Sequence, residues 1–319
     1  MVPLGFVVGM PRISAAQDEA SSYPNRTIRI IVGFSPGGAP DIVARLIAKE
    51  LSIAWGQPVV VENRTGAGGV VAAQYVANAA ADGYTLFGAN SAYVVAPAIN
   101  KNLSYDTLKD FKGVTLTAAA PTWVLVSPAL GIKTLADFIA LAKAKPGQLN
   151  YSSAGVGSYS QFSAELFNRA TGIAAQHVPY KGPPEALNAL IAGEVQYYMS
   201  PLGAAAPFVR AGKVVALAVT GKERLPDFPN IPTMIESGFP DFVLETWTGL
   251  VAPSHTPQPI IDKLNRAVAE ALRKPDVEKG LAAMGLTASP TTAAGFDKLI
   301  ADEVVSFSRT AKEAGMISN

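Results

Sequence analysis

The sequence predicts a two-lobed α/β protein with largely parallel sheets, and three observations carry that expectation. From Thr27 to Leu250 short β-branched runs alternate with helical patterns, which is the grammar of βαβ units. Two of the strand-to-helix joints are glycine-rich and lie more than a hundred residues apart, one for each lobe. A length of 319 residues is sufficient for two medium domains with separate cores.

The first strand is Ile28-Arg29-Ile30-Ile31-Val32, and it runs through Gly33-Phe34-Ser35-Pro36-Gly37-Gly38 into an amphipathic helix. Gly37 and Gly38 are expected to take backbone angles closed to other residues, and Pro40 suits the first helical position. The first-turn N–H groups lack intrahelical partners, and with the helix dipole they attract carboxylates or phosphates. An ordinary strand-to-helix connection is the other reading of the same residues. Asp41 stands in that first turn, where the dipole alone favours an acid. A strand at Val59-Val60-Val61, a helix from Val70 to Ala80 and a strand at Tyr84-Thr85-Leu86-Phe87 follow.

A strand at Trp123 to Val126 and a helix from Leu135 to Ala144, closed by Pro146-Gly147, lead to the second joint. There Leu149 to Ser153 runs through Ala154-Gly155-Val156-Gly157-Ser158 into the helical pattern Phe162, Leu166, Phe167. Ser158 with Gln161 three residues on reads as a capping box, which is compatible with a ligand contact at the same hydroxyl. Then come a strand at His177-Val178, a helix from Glu185 to Ile191, and strands at Val195 to Met199 and Val214 to Val219. The segment Lys222 to Pro240 carries Pro226, Pro229, Pro232 and Pro240 and reads as an ordered, extended crossover. After Thr246 to Val251, two long helical patterns, Pro259 to Arg273 and Ala293 to Ala314, complete the chain with little strand between them. Ligands of open parallel sheets bind beyond the carboxyl ends of the strands, where both glycine turns fall.

Charged residues are only 16% of the chain and the net charge is +1, which argues against a nucleic-acid partner. The absence of cysteine removes thiol catalysis, disulfides and thiolate metal sites. His177 and His255 are the only histidines, so no metal or other cofactor is expected, and packing is the expected role of His177. Gly66-Ala67-Gly68-Gly69 follows a strand but lacks the third glycine of a dinucleotide fingerprint, and no hydrolase elbow or P-loop is present. Tyr93, Tyr159, Tyr198 and Trp247 stand at or near strand ends, where they wall a ligand or fill the core. Residues 1–22 read as an atypical signal segment, with an apolar run from Pro3 to Met10 and small residues at Ser14-Ala15-Ala16.

Along almost its full length the chain resembles the periplasmic solute-binding proteins of tripartite tricarboxylate transporters, the Bug or TctC-like family. The resemblance rests on Phe34 to Gly38 with Asp41 to Arg45, on Val59 to Arg64 with Gly66 to Gly69, and on Asp82 to Leu86. It continues through Asn150 to Gly155, His177 to Gly182, Pro232-Thr233, and Trp247 before Gly249 to Pro253. It implies a Venus-flytrap fold, with residues 23–123 plus 246–319 as one lobe and 124–245 as the other. It also implies a ligand carboxylate held mainly by backbone N–H groups, hydroxyls and waters. Phe34, Pro36, Gly37, Gly38 and Asp41 would serve from the first lobe, and Ser153, Ala154, Gly157, Ser158 and Gln161 from the second. The strand-end positions Asn90, Ser91, Tyr180, Ser200, Thr246 and Trp247 complete the expected ligand-binding set.

The implied protein is a monomeric periplasmic receptor, not an enzyme, that closes on a small acid and delivers it to membrane transporter subunits. The acid is a di- or tricarboxylate, an acidic amino acid or an aromatic acid. A sensory subunit for a kinase and a periplasmic enzyme acting on a carboxylate are the alternatives. Two positions depart from the family pattern. Ser160-Gln161 stands where many relatives carry a Thr-His or similar pair, and Ala39-Pro40 replaces a commoner Ser-Thr before Asp41.

Overall fold

Strand Ile28–Val32 (β1) is apolar on both faces because both faces are covered, as expected of a parallel strand inside an α/β sheet. Ile28, Ile30 and Val32 pack with Val43, Ile47 and Leu51 of helix Ala39–Trp55 (α1), while Ile31 faces the opposite layer. Helix α1 stops at Gly56, whose φ of 62° is the left-handed cap that glycine provides. The computed structural model of the chain describes residues 22–316, so the expected signal segment, apart from Ser22, lies outside the described residues.

The remaining elements are Val59–Asn63 (β2), Val70–Ala77 (α2), Thr85–Asn90 (β3), Ala92–Ile99 (α3), Phe111–Val126 (β4), Leu135–Ala144 (α4), Leu149–Ser153 (β5) and Tyr159–Thr171 (α5). They continue as Ala175–Pro179 (β6), Pro183–Ala192 (α6), Tyr197–Pro201 (β7), Leu202–Arg210 (α7), Val215–Val219 (β8) and Glu245–Pro253 (β9). Gln258–Leu272 (α8), Pro275–Ala282 (α9), Thr287–Ala288 (β10) and Ala293–Glu313 (α10) close the described chain.

The strands form one sheet in the order β2-β1-β3-β9-β4-β7-β5-β6, with β8 and β10 also on β4. Among the described residues the parallel ladders form two trios, β2-β1-β3 and β6-β5-β7, with one isolated parallel bridge between Val219 and Thr233. The strands between the trios run antiparallel, so the sheet is mixed rather than parallel throughout. The reason is the path of the chain: it leaves the first half along β4 and returns along β9, and those two strands pair with each other. β4 pairs with β9 from Phe111 to Pro121, then with β7 and β8 from Thr122 onward.

The result is a two-lobed α/β fold. In the second lobe Tyr151, Phe167 and Tyr197 pack with Phe138 on one face of the sheet, and Trp123, Tyr198 and Leu190 fill the other. The lobes touch on both sides of the crossing strands. Tyr159 and Phe162 of α5 meet Phe307 of α10 edge-on, with centroids 5.6 and 5.3 Å away. On the other side a Cβ at Gly203 would fall 2.5 Å from the Met284 carbonyl, so α7 rests on the α9–β10 turn backbone to backbone. Among the described residues no helix is long and apolar enough to cross a membrane.

Candidate ligand-binding site

The first glycine turn is built around Asp41. Only Gly37, at φ 86°, needs glycine's freedom; Gly38 is extended at φ −75°, ψ 161°, which any residue adopts. Helix α1 begins at Ala39, so Pro40 takes its second position rather than its first. The Asp41 carboxylate is 2% exposed and accepts hydrogen bonds from the Gly37 N–H at 2.9 Å, Arg45 Nε at 3.0 Å and Asn63 Nδ2 at 2.8 Å. Burial works to raise its pKa, but these donors outweigh burial and hold it below the ordinary value. Asn63 also donates to the Phe34 carbonyl at 2.9 Å, tying the turn to β2.

Asp41 therefore shapes the turn and consumes the Gly37 amide, leaving the first-turn amides of Ala39 and Asp41 without intrahelical acceptors. Pro36, Gly37, Gly38 and Ala39 are exposed, and Phe34 is half-buried. The Gly66–Gly69 motif has a packing role here: a Cβ at Gly33 would lie 2.5 Å from the Gly69 Cα, so two backbones touch.

The second turn holds Gly155 at φ 125° and Gly157 at φ 75°. Side chains of the turn and of α5 satisfy much of its backbone. The Ala154 amide donates to Ser160 Oγ at 2.9 Å, the Gly155 amide to Ser153 Oγ at 3.1 Å, and the Gly157 amide to Gln161 Oε1 at 2.7 Å. Ser158 is the N-cap, its Oγ accepting from the Gln161 amide at 3.3 Å. The capping box is shifted, because the Gln161 side chain reaches Gly157, while the Ser158 amide bonds Gly155 O at 3.2 Å. The rotatable Ser158 hydroxyl and the first-turn amides of Tyr159 and Ser160 remain as donors.

Behind this turn stands His177. Its ring stacks on Tyr151 with centroids 5.0 Å apart, its Nε2 is 2.6 Å from Ser153 Oγ, and its Nδ1 is 3.0 Å from Gln161 Nε2. Burial holds its pKa below the ordinary value. Packing describes the ring, but its two nitrogens also brace both ends of the glycine turn. The sequence signal was present in the His177 to Gly182 motif, whereas the partners lie on other elements.

The strand-end positions divide. Thr246 donates to the Ala120 carbonyl at 3.2 Å and, with Ala39, Ala120 and Pro201, lines a cavity of about 330 Å3 beside the first turn. Asn90 Oδ1 accepts from the Ala92 amide at 3.2 Å, and Ser91 Oγ accepts from the Trp247 amide at 2.8 Å. Of the two readings of Trp247, wall or core, its surroundings are those of core: it is 3% exposed, packs edge-on against Phe296 and donates from Nε1 to Glu303 at 2.7 Å. Tyr93 and Tyr198 are buried likewise. Ser200 is fully buried and donates to the Pro201 carbonyl at 3.2 Å, and Tyr180 directs its hydroxyl at Glu194, 3.4 Å away. These two hydroxyls serve internal contacts in the second lobe, whereas those of Ser158 and Thr246 lie beside the turns.

The sequence profile described as "Tripartite tricarboxylate transporter family receptor" matches residues 43–316. The chain belongs to this receptor family. It is 38% identical over 306 residues to Protein BugT of Bordetella pertussis, covering 94% of this chain and 93% of that protein. Among solved structures it is similar to an R. palustris protein with adipate, at TM-score 0.75 and 33% identity over 92% of this chain and 98% of the other. It is also similar to MatC from Rhodopseudomonas palustris with bound malate, at TM-score 0.72 and 37% identity over 90% and 99% of the two chains. Membership makes the chain a receptor of solute-binding type; the matched residues include the second turn, and the first turn lies just before them.

Proposed function

We propose that this receptor is exported to the periplasm, captures a small organic carboxylate between its lobes and presents the closed complex to the membrane subunits of a tripartite transporter. The observation that carries the reading is the pair of glycine turns, each opening a helix and each keeping first-turn amides clear of internal acceptors. Adipate and malate in two relatives support a carboxylate as the ligand. Phe34, Pro36, Gly38, Ala154, Gly157 and Ser158 form the two facing surfaces in this reading, with Thr246 at the floor, and the buried Ser153 and Gln161 support the second turn from behind. Asp41 acts by shaping the turn.

The lobe boundaries of this reading are 123/124 and 245/246; the change of partners along β4 falls slightly earlier, between Pro121 and Thr122, and the Leu244 amide bonds back to the Thr220 carbonyl just before the return. With only two chain crossings the lobes hinge about β4 and the segment before β9, and ligand touching both lobes favours the closed form by its differential affinity. The test is a thermal-shift screen of mono-, di- and tricarboxylates, confirmed by calorimetry. A ligand at a hundred times its Kd adds ~2.7 kcal/mol of stability. A panel in which sugars or cations shift the melting and no carboxylate does overturns the reading.

A further inference from the structure

His177 is a half-buried titratable group that packing alone does not account for, because each ring nitrogen is bonded to a different end of the second turn. Hydrogen-bond directions around it form one consistent chain. Ser153 Oγ donates its single proton to the Gly155 carbonyl at 3.0 Å, so His177 Nε2 is the donor in the 2.6 Å contact with that hydroxyl. Nδ1 is then the bare acceptor, and Gln161 offers it the NH2 end of its amide. The oxygen end of the same amide is thereby turned toward Gly157, whose N–H it accepts at 2.7 Å.

A proton on Nδ1 breaks this chain at one place. Two donors would face each other, and Gln161 answers by rotating its amide to present Oε1 to the imidazolium. The Gly157 N–H then loses its acceptor, next to the first-turn amides of Tyr159 and Ser160 and the Ser158 hydroxyl. An anion placed there takes the freed N–H and meets an added positive charge behind the turn. We infer that His177 is a positioning residue that couples carboxylate capture to the uptake of one proton, through rotation of the Gln161 amide. This rests on the reading of the second turn as a carboxylate site.

The surroundings leave the ring free to respond. The elements packed on it are β5 and α5, and their titratable groups on that side are Tyr151, which stacks on the ring, and Glu165, which accepts the Tyr151 hydroxyl. Burial is what lowers the pKa of His177, so the unliganded ring is neutral at pH 7. Linkage is reciprocal: if the proton favours the anion, the anion raises the pKa of His177 by the same factor. Affinity then rises as the pH falls through the pKa of the liganded state, by at most about tenfold per pH unit for one proton.

The experiment is calorimetry with adipate and malate at pH 6 and pH 8, in buffers of different ionisation enthalpy, with NMR titration of the imidazoles. Only two histidines are present, which keeps the spectra readable. Wild type is expected to bind severalfold more tightly at pH 6, to take up a fraction of a proton, and to show a raised His177 pKa when saturated. In H177N the amide oxygen takes the acceptor place of Nδ1 and does not titrate, and in Q161M the rotating amide is gone. Both are expected to bind with the extra pH slope and the proton uptake lost, and either suffices if the other fails to fold. Wild-type affinity equal at the two pH values without proton uptake, or a slope that persists in both variants, overturns the inference while leaving the site. Absence of any binding heat with either acid overturns the site as well.

Discussion

Gly37 holds φ at 86° with open space where a Cβ would sit, whereas Gly38 beside it is extended and has the Ser35 carbonyl 3.5 Å from that position. The turn thus depends on glycine for its conformation at Gly37 only, and at Gly38 a side chain would matter through the ligand approach proposed above. Its acid depends on partners the local pattern does not announce: Arg45 lies one helical turn away, but Asn63 comes from a strand 22 residues on. Ser158 is the residue where cap and ligand contact separate experimentally. Its hydroxyl accepts from the Gln161 amide, but the Gln161 side chain holds the Gly157 amide and Ser160 Oγ holds the Ala154 amide, so the fold has other means of holding this helix start. Loss of a cap typically costs ~1 kcal/mol of stability, and loss of a hydrogen bond to a charged ligand ~1.5 to 3 kcal/mol of binding. Ser158→Ala is therefore expected to lower carboxylate affinity about tenfold or more in calorimetry, since 1.4 kcal/mol is a factor of ten, with a small change in unliganded melting. Full affinity with earlier melting would leave Ser158 as a cap only.

Elements with strong amphipathic period were legible in the sequence: Leu135–Ala144 falls where the pattern places it, as do the two long C-terminal helices within a residue or two. Helices α3 and α7 were not, because each carries an internal proline, Pro97 or Pro207, within a run too uniformly apolar to show a stripe. Strand β4 was read only at its end. Its 16 residues include Gly113 and Pro121, and almost every position is buried on one lobe or the other, so no alternation marks it. What secures β4 at the crossing is polar. The Thr122 amide donates to Thr220 Oγ1 at 2.8 Å, and that hydroxyl donates in turn to the Leu244 carbonyl, binding the outgoing and returning chains together. Thr220 is fully buried. Thr220→Val keeps the shape and strands both partners, and an unsatisfied buried group costs roughly 1–3 kcal/mol. Urea denaturation is expected to show a loss of about that size, and an unchanged midpoint would show the crossing to be held by the strand ladder alone.

At the scale of the molecule, the two lobes meet where titratable groups are buried. Glu303 on α10 is pushed up to about 7, first by burial and further by Glu245, with the Trp247 hydrogen bond opposing. An acid whose pKa is raised by folding is held in its neutral form, so stability falls as pH rises from the ordinary 4.5 through about 7. Glu303→Gln is expected to flatten that decline across pH 5–8 in thermal melts, and a parallel decline in both proteins would assign it elsewhere. On the same side of the crossing strands, a Cβ at Gly157 would fall 2.5 Å from Ile99 Cδ1, so the second turn rests directly on α3 of the first lobe. That contact is one of those by which the lobes meet on this side. In the closure proposed above the turn settles further toward the first lobe or holds its place there, and an added methyl opposes both, over and above the strain of a non-glycine residue at φ 75°. Gly157→Ala is accordingly expected to give a larger radius of gyration than wild type in solution scattering, with and without carboxylate, and weaker binding at unchanged helical content. Equal radii in the two proteins would mean that Ile99 yields by a rotamer change and that the separation of the lobes is set by the Tyr159–Phe307 contact instead.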